Sequence, residues 1–268
     1  MLEKLESRCI LLFPYPSYFC PMNIALFGYG KMGHEVEAAA IERGHAIVAT
    51  FDRPEEITLE KLREANSDVI IDFTEPSAVK GNVERACAVK LPIVIGTTGW
   101  SEDRDVVEKM IAEAGTSGIV ASNFSIGVNA FLQIVRKASH LLEAADYDAY
   151  VLETHHRMKK DHPSGTALQI AKVMISEMPS KNEIVHDLPQ GEVVPSNALV
   201  VSSLRSGAVT GTHTVGFESE VDSIELTHRA KSRKGFAVGA VRAAEWIVGK
   251  KGFFQFEEMI EEILSVKF

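Results

Sequence analysis

Short β-rich runs alternate with longer helical stretches along the first half of the chain. Asn23-Ile24-Ala25-Leu26-Phe27 is the first run, and residues 46–51, 68–73, 92–95 and 118–121 repeat its character. Between them the apolar spacing predicts helices from a glycine turn to Arg43, closed by Gly44, and over 76–90 and 102–114. Runs apolar at consecutive positions predict parallel strands covered on both faces. The alternation therefore predicts an α/β fold with a Rossmann-like, doubly wound parallel sheet.

After Phe124 the pattern changes. One long apolar helix is predicted over 128–142, then a strand over 150–153 and a helix opening near Pro163. Strand-like runs at 198–204, 208–217 and 221–229 follow with little helix between them, so a second, α+β domain with a mixed sheet is expected. Two helices, over 236–248 and 257–264, close the chain. The expected division is residues 22–124 with 235–268 as a dinucleotide-binding domain and residues 125–234 as a domain for substrate and oligomerisation. Residues 1–21 read as an extension ahead of the fold, disordered or translated from a start assigned too far upstream. Their apolar run, Ile10 to Phe13, is broken by Pro14 and Pro16 and is too short to span a membrane.

Composition narrows the function. Of the 268 residues 46% are hydrophobic and 24% charged, enough apolar material for a sizeable core. A formal charge of -9 disfavours a nucleic-acid partner, because a phosphate backbone would be repelled. Three cysteines, Cys9, Cys20 and Cys87, have no metal-like spacing and suggest neither a disulfide framework nor a zinc site, which fits a cytoplasmic protein.

Gly28-Tyr29-Gly30-Lys31-Met32-Gly33 fits G-x-G-x-x-G directly after a strand and at a helix start. The spacing suits a dinucleotide: a tight turn, a close approach of backbone to pyrophosphate, and close helix–strand packing. Asp52, at the end of the next strand, is placed to accept from ribose hydroxyls. Arg53 beside it can hold a 2′-phosphate with help from Lys31, so both NADH and NADPH are candidates; its plainer reading is a solvated turn charge. Gly96-Thr97-Thr98 and Ala121-Ser122-Asn123-Phe124 each follow a predicted strand, at the sheet end where ligands bind in open parallel sheets. Asn123 or the Thr97 backbone is suited to the carboxamide of a nicotinamide.

The densest chemistry lies in Glu153-Thr154-His155-His156-Arg157-Met158-Lys159-Lys160-Asp161-His162-Pro163-Ser164-Gly165-Thr166-Ala167. Three histidines and three strong cations precede a Ser-Gly-Thr turn at a helix start, where N–H groups and hydroxyls favour a carboxylate. A small dianionic ligand suits such a segment. A metal reading fails on spacing and on the cations Arg157, Lys159 and Lys160, so no metal is expected. His140, His186 and His213 read as surface or packing residues, and Phe253-Phe254-Gln255-Phe256 as core contact or interface.

The pattern E-x-H-H-x-x-K-x-D-x-P-S-G-T-A resembles the signature of the dihydrodipicolinate reductase family and matches at every fixed position. Gly96-Thr97-Thr98 and Asn123-Phe124-Ser125-Ile126-Gly127 resemble that family's other landmarks, in the same order, and the resemblance spans residues 22–268. It departs in the extension, in Asp52 where the family often carries Glu, and in a short segment between the second and third strands. The resemblance implies NAD(P)H-dependent reduction of 4-hydroxy-tetrahydrodipicolinate in the diaminopimelate route of lysine biosynthesis, by a cytoplasmic homotetramer. It implies His155 as acid/base residue and Lys159 as proton donor to the ring. His156, Ser164, Gly165 and Thr166 become substrate contacts, and Arg233 and Phe236 lie near the cofactor. An aspartate- or homoserine-type dehydrogenase, or a nucleotide-sensing regulator, shares the first domain but gives no reason for His155, His156 and Lys159 together.

Overall fold

The structure, a computed structural model, describes residues 10, 11, 18–53, 56–186, 188 and 191–264. Two short strands, β1 (Ile10–Leu11) and β2 (Tyr18–Phe19), pair antiparallel ahead of the main fold. The reading of residues 1–21 as an extension otherwise falls outside the described residues. The cysteine reading needs a correction: Cys20 is disulfide-bonded, and Cys87 is a half-buried free thiol.

The chain folds into two compact units. The first comprises residues up to Ile126 together with Lys234 onward, and the second runs from Gly127 to Arg233. In the first, β3 (Asn23–Phe27), α1 (Lys31–Glu42), β4 (Ala46–Phe51), α2 (Leu59–Ala65), β5 (Val69–Asp72) and α3 (Pro76–Ala88) follow in order. β6 (Ile93–Ile95), α4 (Arg104–Ala114) and β7 (Ser117–Val120) complete the alternation. In the second, α5 (Ile126–Glu143) leads into β8 (Asp148–His155), α6 (Gly165–Glu177), β9 (Glu183–Val185), β10 (Ala198–Arg205), β11 (Thr212–Glu218) and β12 (Ser223–Arg229). The first unit is then finished by α7 (Lys234–Ile247), β13 (Gly252–Gln255) and α8 (Phe256–Leu264).

The first sheet has the order β13-β7-β6-β5-β3-β4 and is parallel throughout. Its strands are apolar at consecutive positions because each face carries helices. Leu26 and Ile71 pack with Val36 of α1 and Ala240 of α7 on one face, while Ile70 and Ile95 pack with Val83 of α3 and Ile111 of α4 on the other. The chain leaves β3 in one direction to β4 and later in the other to β5. That reversal opens a crevice at the strands' carboxyl ends. Glu245 on α7 accepts from Arg43 Nε (2.7 Å) and His45 Nε2 (2.8 Å), which ties the returning helix to the turn after α1. Burial pushes this carboxyl up, but His45 and Arg43 outweigh it and hold it below the usual range.

The predicted helices and strands of the first half all form, and the second sheet is mixed as expected, in the order β12-β11-β8-β10-β9. Its β8 pairs parallel with β10 and antiparallel with β11. Besides the β1–β2 pair, three elements were not legible: α2, β9 and β13. The Phe253-Phe254 run, expected as core contact or interface, forms a sixth strand paired with β7 at Gly118 and Ile119. Period-2 alternation sends Phe253 to the α3–α4 side and Phe254 to the α7 side, and four residues were too few to show that period.

Candidate active site

Within the first unit, the glycine turn joins β3 to α1 at the crevice. Gly28 has φ +83°, and a Cβ there would lie 2.3 Å from the Phe73 carbonyl oxygen at the end of β5. A Cβ on Gly33 would lie 2.5 Å from the Gly28 oxygen, so α1 approaches its own strand too closely for a side chain. Gly30 is different. Its backbone is ordinary extended geometry, and an added Cβ would meet nothing within 4 Å. Packing therefore explains Gly28 and Gly33, while Gly30 keeps open the space in front of the helix start. No side chain caps α1, and its first N–H groups, those of Lys31, Met32 and Gly33, have no partner among the described residues. A pyrophosphate fits that cradle.

The remaining first-unit candidates gather at the same sheet end. Asp52 is exposed, and its Oδ1 accepts from the Tyr29 N–H at 3.3 Å, which ties the β4 end to the turn. Lys31 and Arg53 are exposed; Met32 packs partly against the core. Thr98 and Ser122 are exposed, Gly96 and Asn123 half-buried, and Ala121 buried. Asn123 Oδ1 accepts from the Ser125 N–H at 2.8 Å. Two side chains turn inward: Thr97 donates to buried Asp72 (3.2 Å), and Phe124 packs between Phe73 and Phe256. Only their backbones are left to meet a ligand. Phe236 is half-buried in the first turn of α7, and Arg233, the last residue of the second unit, is exposed.

In the second unit, Glu153 and His155 stand two apart on β8 and so share one face of the sheet. Both are buried. Glu153 Oε2 accepts a hydrogen bond from His155 Nδ1, and Arg205 at the end of β10 clamps the same carboxylate through Nη1 (2.9 Å) and Nη2 (2.7 Å). The Ser164 N–H adds a fourth bond, to Oε1 at 3.2 Å. Burial pushes the Glu153 carboxyl up, but Arg205, Ser203 and His155 outweigh it and bring it down to about 2. An ionised, oriented carboxylate on Nδ1 fixes the imidazole tautomer and leaves Nε2 for chemistry. Gly211 lies at that nitrogen: a Cβ there would stand 3.0 Å from Nε2.

Lys159 follows on the loop after β8. Asp161 holds its ammonium with both oxygens at 2.8 Å, and the ammonium in turn keeps the Asp161 carboxyl below its usual range. The Asp161 carbonyl is itself bonded by Arg205 Nη2 at 2.6 Å. Arg205 thus anchors the loop that carries Lys159 as well as the carboxylate behind His155. His156 is half-buried between the two residues. Ser164 caps α6, its Oγ accepting from the Ala167 N–H at 3.2 Å. The N–H groups of Gly165 and Thr166 have no partner among the described residues, so the helix start offers two free donors. A carboxylate would take both.

Three members of this cluster escaped the sequence reading. Glu153 was part of the quoted motif but had no role; its two-residue spacing from His155 was the available signal. Arg205 lies 52 positions from Glu153 and meets it only through the pairing of β10 with β8. His213, expected at the surface or in packing, is buried on β11 with Nε2 3.1 Å from Ser164 Oγ and its ring 5.2 Å from that of His155. Among the described residues no three His, Cys, Asp or Glu side chains gather as a metal site. No helix of those residues is long and apolar enough to cross a membrane.

A nucleotide-binding Rossmann unit joined in one chain to a unit with a buried imidazole–carboxylate pair defines a class, the two-unit NAD(P)-type oxidoreductases. Comparison with known proteins narrows it. The family model for the N-terminus of dihydrodipicolinate reductase matches residues 22–124, and that for its C-terminus matches residues 127–260. The chain belongs to the dihydrodipicolinate reductase family. A 4-hydroxy-tetrahydrodipicolinate reductase from Christiangramia forsetii is 37% identical over 91% of this chain and 100% of its own length. One from Archaeoglobus fulgidus is 38% identical over 90% of this chain and all of its own. Among solved structures, a dipicolinate-bound dihydrodipicolinate reductase from Paenisporosarcina sp. TG-14 shares the fold, with TM-score 0.73 at 24% identity over 89% of this chain and 99% of that one.

Proposed function

We propose that this protein reduces the dehydrated form of 4-hydroxy-tetrahydrodipicolinate to tetrahydrodipicolinate, a step toward diaminopimelate and lysine. The observation that carries the reading is the Glu153–His155 pair beside an α6 start with free N–H donors, in a chain matching reductases of that name over their full length. The glycine turn would hold NADH or NADPH, which when bound would supply a hydride for the ring carbon conjugated with the imine.

The chain's own residues do the rest. The turn from Gly28 to Gly33 takes the pyrophosphate, Asp52 the ribose, and Arg53 with Lys31 a 2′-phosphate where one is present. Gly96, Thr97, Thr98, Ala121, Ser122, Asn123 and Phe124 line the nicotinamide end, with Arg233 and Phe236. In the second unit Gly165, Thr166 and Ser164 hold one carboxylate and His156 contacts the ring. As hydride arrives, charge builds on the enamine, and Lys159 stabilises it and delivers a proton to the adjacent carbon. His155 Nε2, fixed by Glu153, serves as acid/base partner. Exposed Leu152 and Leu204 on the mixed sheet fit a surface that self-associates, in keeping with a homotetramer, and the reaction belongs in the cytoplasm.

The assay is direct. NAD(P)H oxidation is followed by absorbance with freshly made dihydrodipicolinate synthase product, and with aspartate semialdehyde or oxaloacetate plus ammonia as comparison substrates. Turnover confined to the synthase product is expected. Turnover only with a comparison substrate, or cofactor binding without turnover of any, overturns the assignment.

A further inference from the structure

We propose that His213 is a positioning residue for this reaction: it donates its Nε2 proton to Ser164 Oγ and so turns the serine's own hydroxyl proton out toward a substrate carboxylate. The inference rests on the reading above, in which Ser164, Gly165 and Thr166 receive that carboxylate.

Proton inventory carries the argument. Ser164 is buried, and its Oγ already accepts the Ala167 N–H at 3.2 Å as the cap of α6. His213 Nε2 lies 3.1 Å from the same oxygen. His213 Nδ1 is buried and has no partner. A proton on Nδ1 would leave a buried N–H donor unpaired, whereas a proton on Nε2 leaves only a lone pair, the smaller penalty. The Nε2–H tautomer is therefore favoured, and it fills the second acceptor position of Ser164 Oγ. The hydroxyl hydrogen must then occupy the remaining direction, for which no acceptor exists among the described residues.

The ring must also stay neutral, and its surroundings see to that: burial first, then the nearby His155, depress His213 to about 4. The four side chains form a closed circuit. His155 bonds Glu153, Glu153 accepts from the Ser164 backbone, Ser164 Oγ meets His213, and the His213 ring stands edge-on to His155 at 73°. A displaced His213 would thus loosen the carboxylate cradle without touching the glycine turn.

The test compares His213→Phe, which keeps a ring but no donor, with His213→Gln, whose amide nitrogen reaches the same distance, each alone and with Ser164→Ala. Dipicolinate binding is measured by calorimetry on the cofactor-loaded enzyme, beside steady-state kinetics. His213→Phe should weaken dipicolinate and raise the substrate KM about tenfold, lower kcat less than about threefold, and leave the cofactor KM unchanged. His213→Gln should recover most of the loss, and His213→Phe should add less than about twofold once Ser164 is alanine. Dipicolinate affinity unchanged in His213→Phe, no recovery with Gln, or losses that multiply in the double variant would overturn the proposal. Should His213→Phe not fold, His213→Asn, too short to reach Ser164, gives the same comparison. Wild-type enzyme without turnover would overturn the functional reading instead, and dipicolinate binding would still decide the His213–Ser164 coupling.

Discussion

Replacing Glu153 by glutamine removes one charge from the centre of the second unit and tests the site's electrostatics and its chemistry at once. The carboxyl titrates at about 2 in the folded chain against an ordinary 4.5. At roughly 1.4 kcal/mol per pH unit, that difference corresponds to about 3 kcal/mol of stability carried by the ionised form. A depressed carboxyl stabilises the fold above its unfolded value and loses that contribution as pH falls from about 4.5 toward 2. The same loss estimated from the partner's side is similar: the neutral amide would strand the Arg205 guanidinium, and leaving one partner of a buried pair unmatched costs about 3–5 kcal/mol. Urea unfolding should therefore show Glu153→Gln about 3 kcal/mol less stable than wild type near neutral pH, the gap narrowing steadily below about pH 4. Activity should fall about 100-fold or more, because the amide presents a donor to His155 Nδ1 and selects the wrong tautomer. A variant that unfolds at the wild-type urea midpoint, or a gap that stays constant down to about pH 3, would refute the reasoning.

Other outcomes follow from the same geometry. Gly30→Ala should leave stability within about 0.5 kcal/mol but weaken NADPH at least tenfold by isothermal titration, since its Cβ meets only open space, where the proposed pyrophosphate site lies. Gly33→Ala should instead cost about 1–3 kcal/mol in thermal unfolding, because its Cβ would sit 2.5 Å from a backbone oxygen. Arg53→Ala should raise the KM for NADPH about tenfold while changing that for NADH less than about twofold; equal changes would remove the 2′-phosphate role. Asp161→Asn frees the Lys159 ammonium from its bidentate partner and should alter kcat more than cofactor affinity, measured side by side.

The first sheet was legible because its strands carry their own signature: both faces are covered, so apolar residues run consecutively, and glycine punctuates the ends. The glycine turn, Asp52 and the histidine–lysine segment could be singled out as candidates because each is local in sequence. What escaped is non-local. Arg205 reaches Glu153 only through strand register, and His213 reaches Ser164 only because β11 lies beside β8. Neither carries a neighbouring motif. β13 escaped because phenylalanines at a chain end look alike whether they pair or merely pack. Thr97 and Phe124 show the converse: their positions at strand ends were readable, but the inward turn of their side chains depends on Asp72, Phe73 and Phe256.

Single-turnover kinetics of Lys159→Met tests the central claim most directly. With NADPH prebound and substrate mixed in, cofactor affinity should stay within about twofold of wild type while the reduction rate drops at least about 100-fold. A reduction rate within about threefold of wild type would contradict the account, because the ammonium would then have no part in the proposed proton transfer.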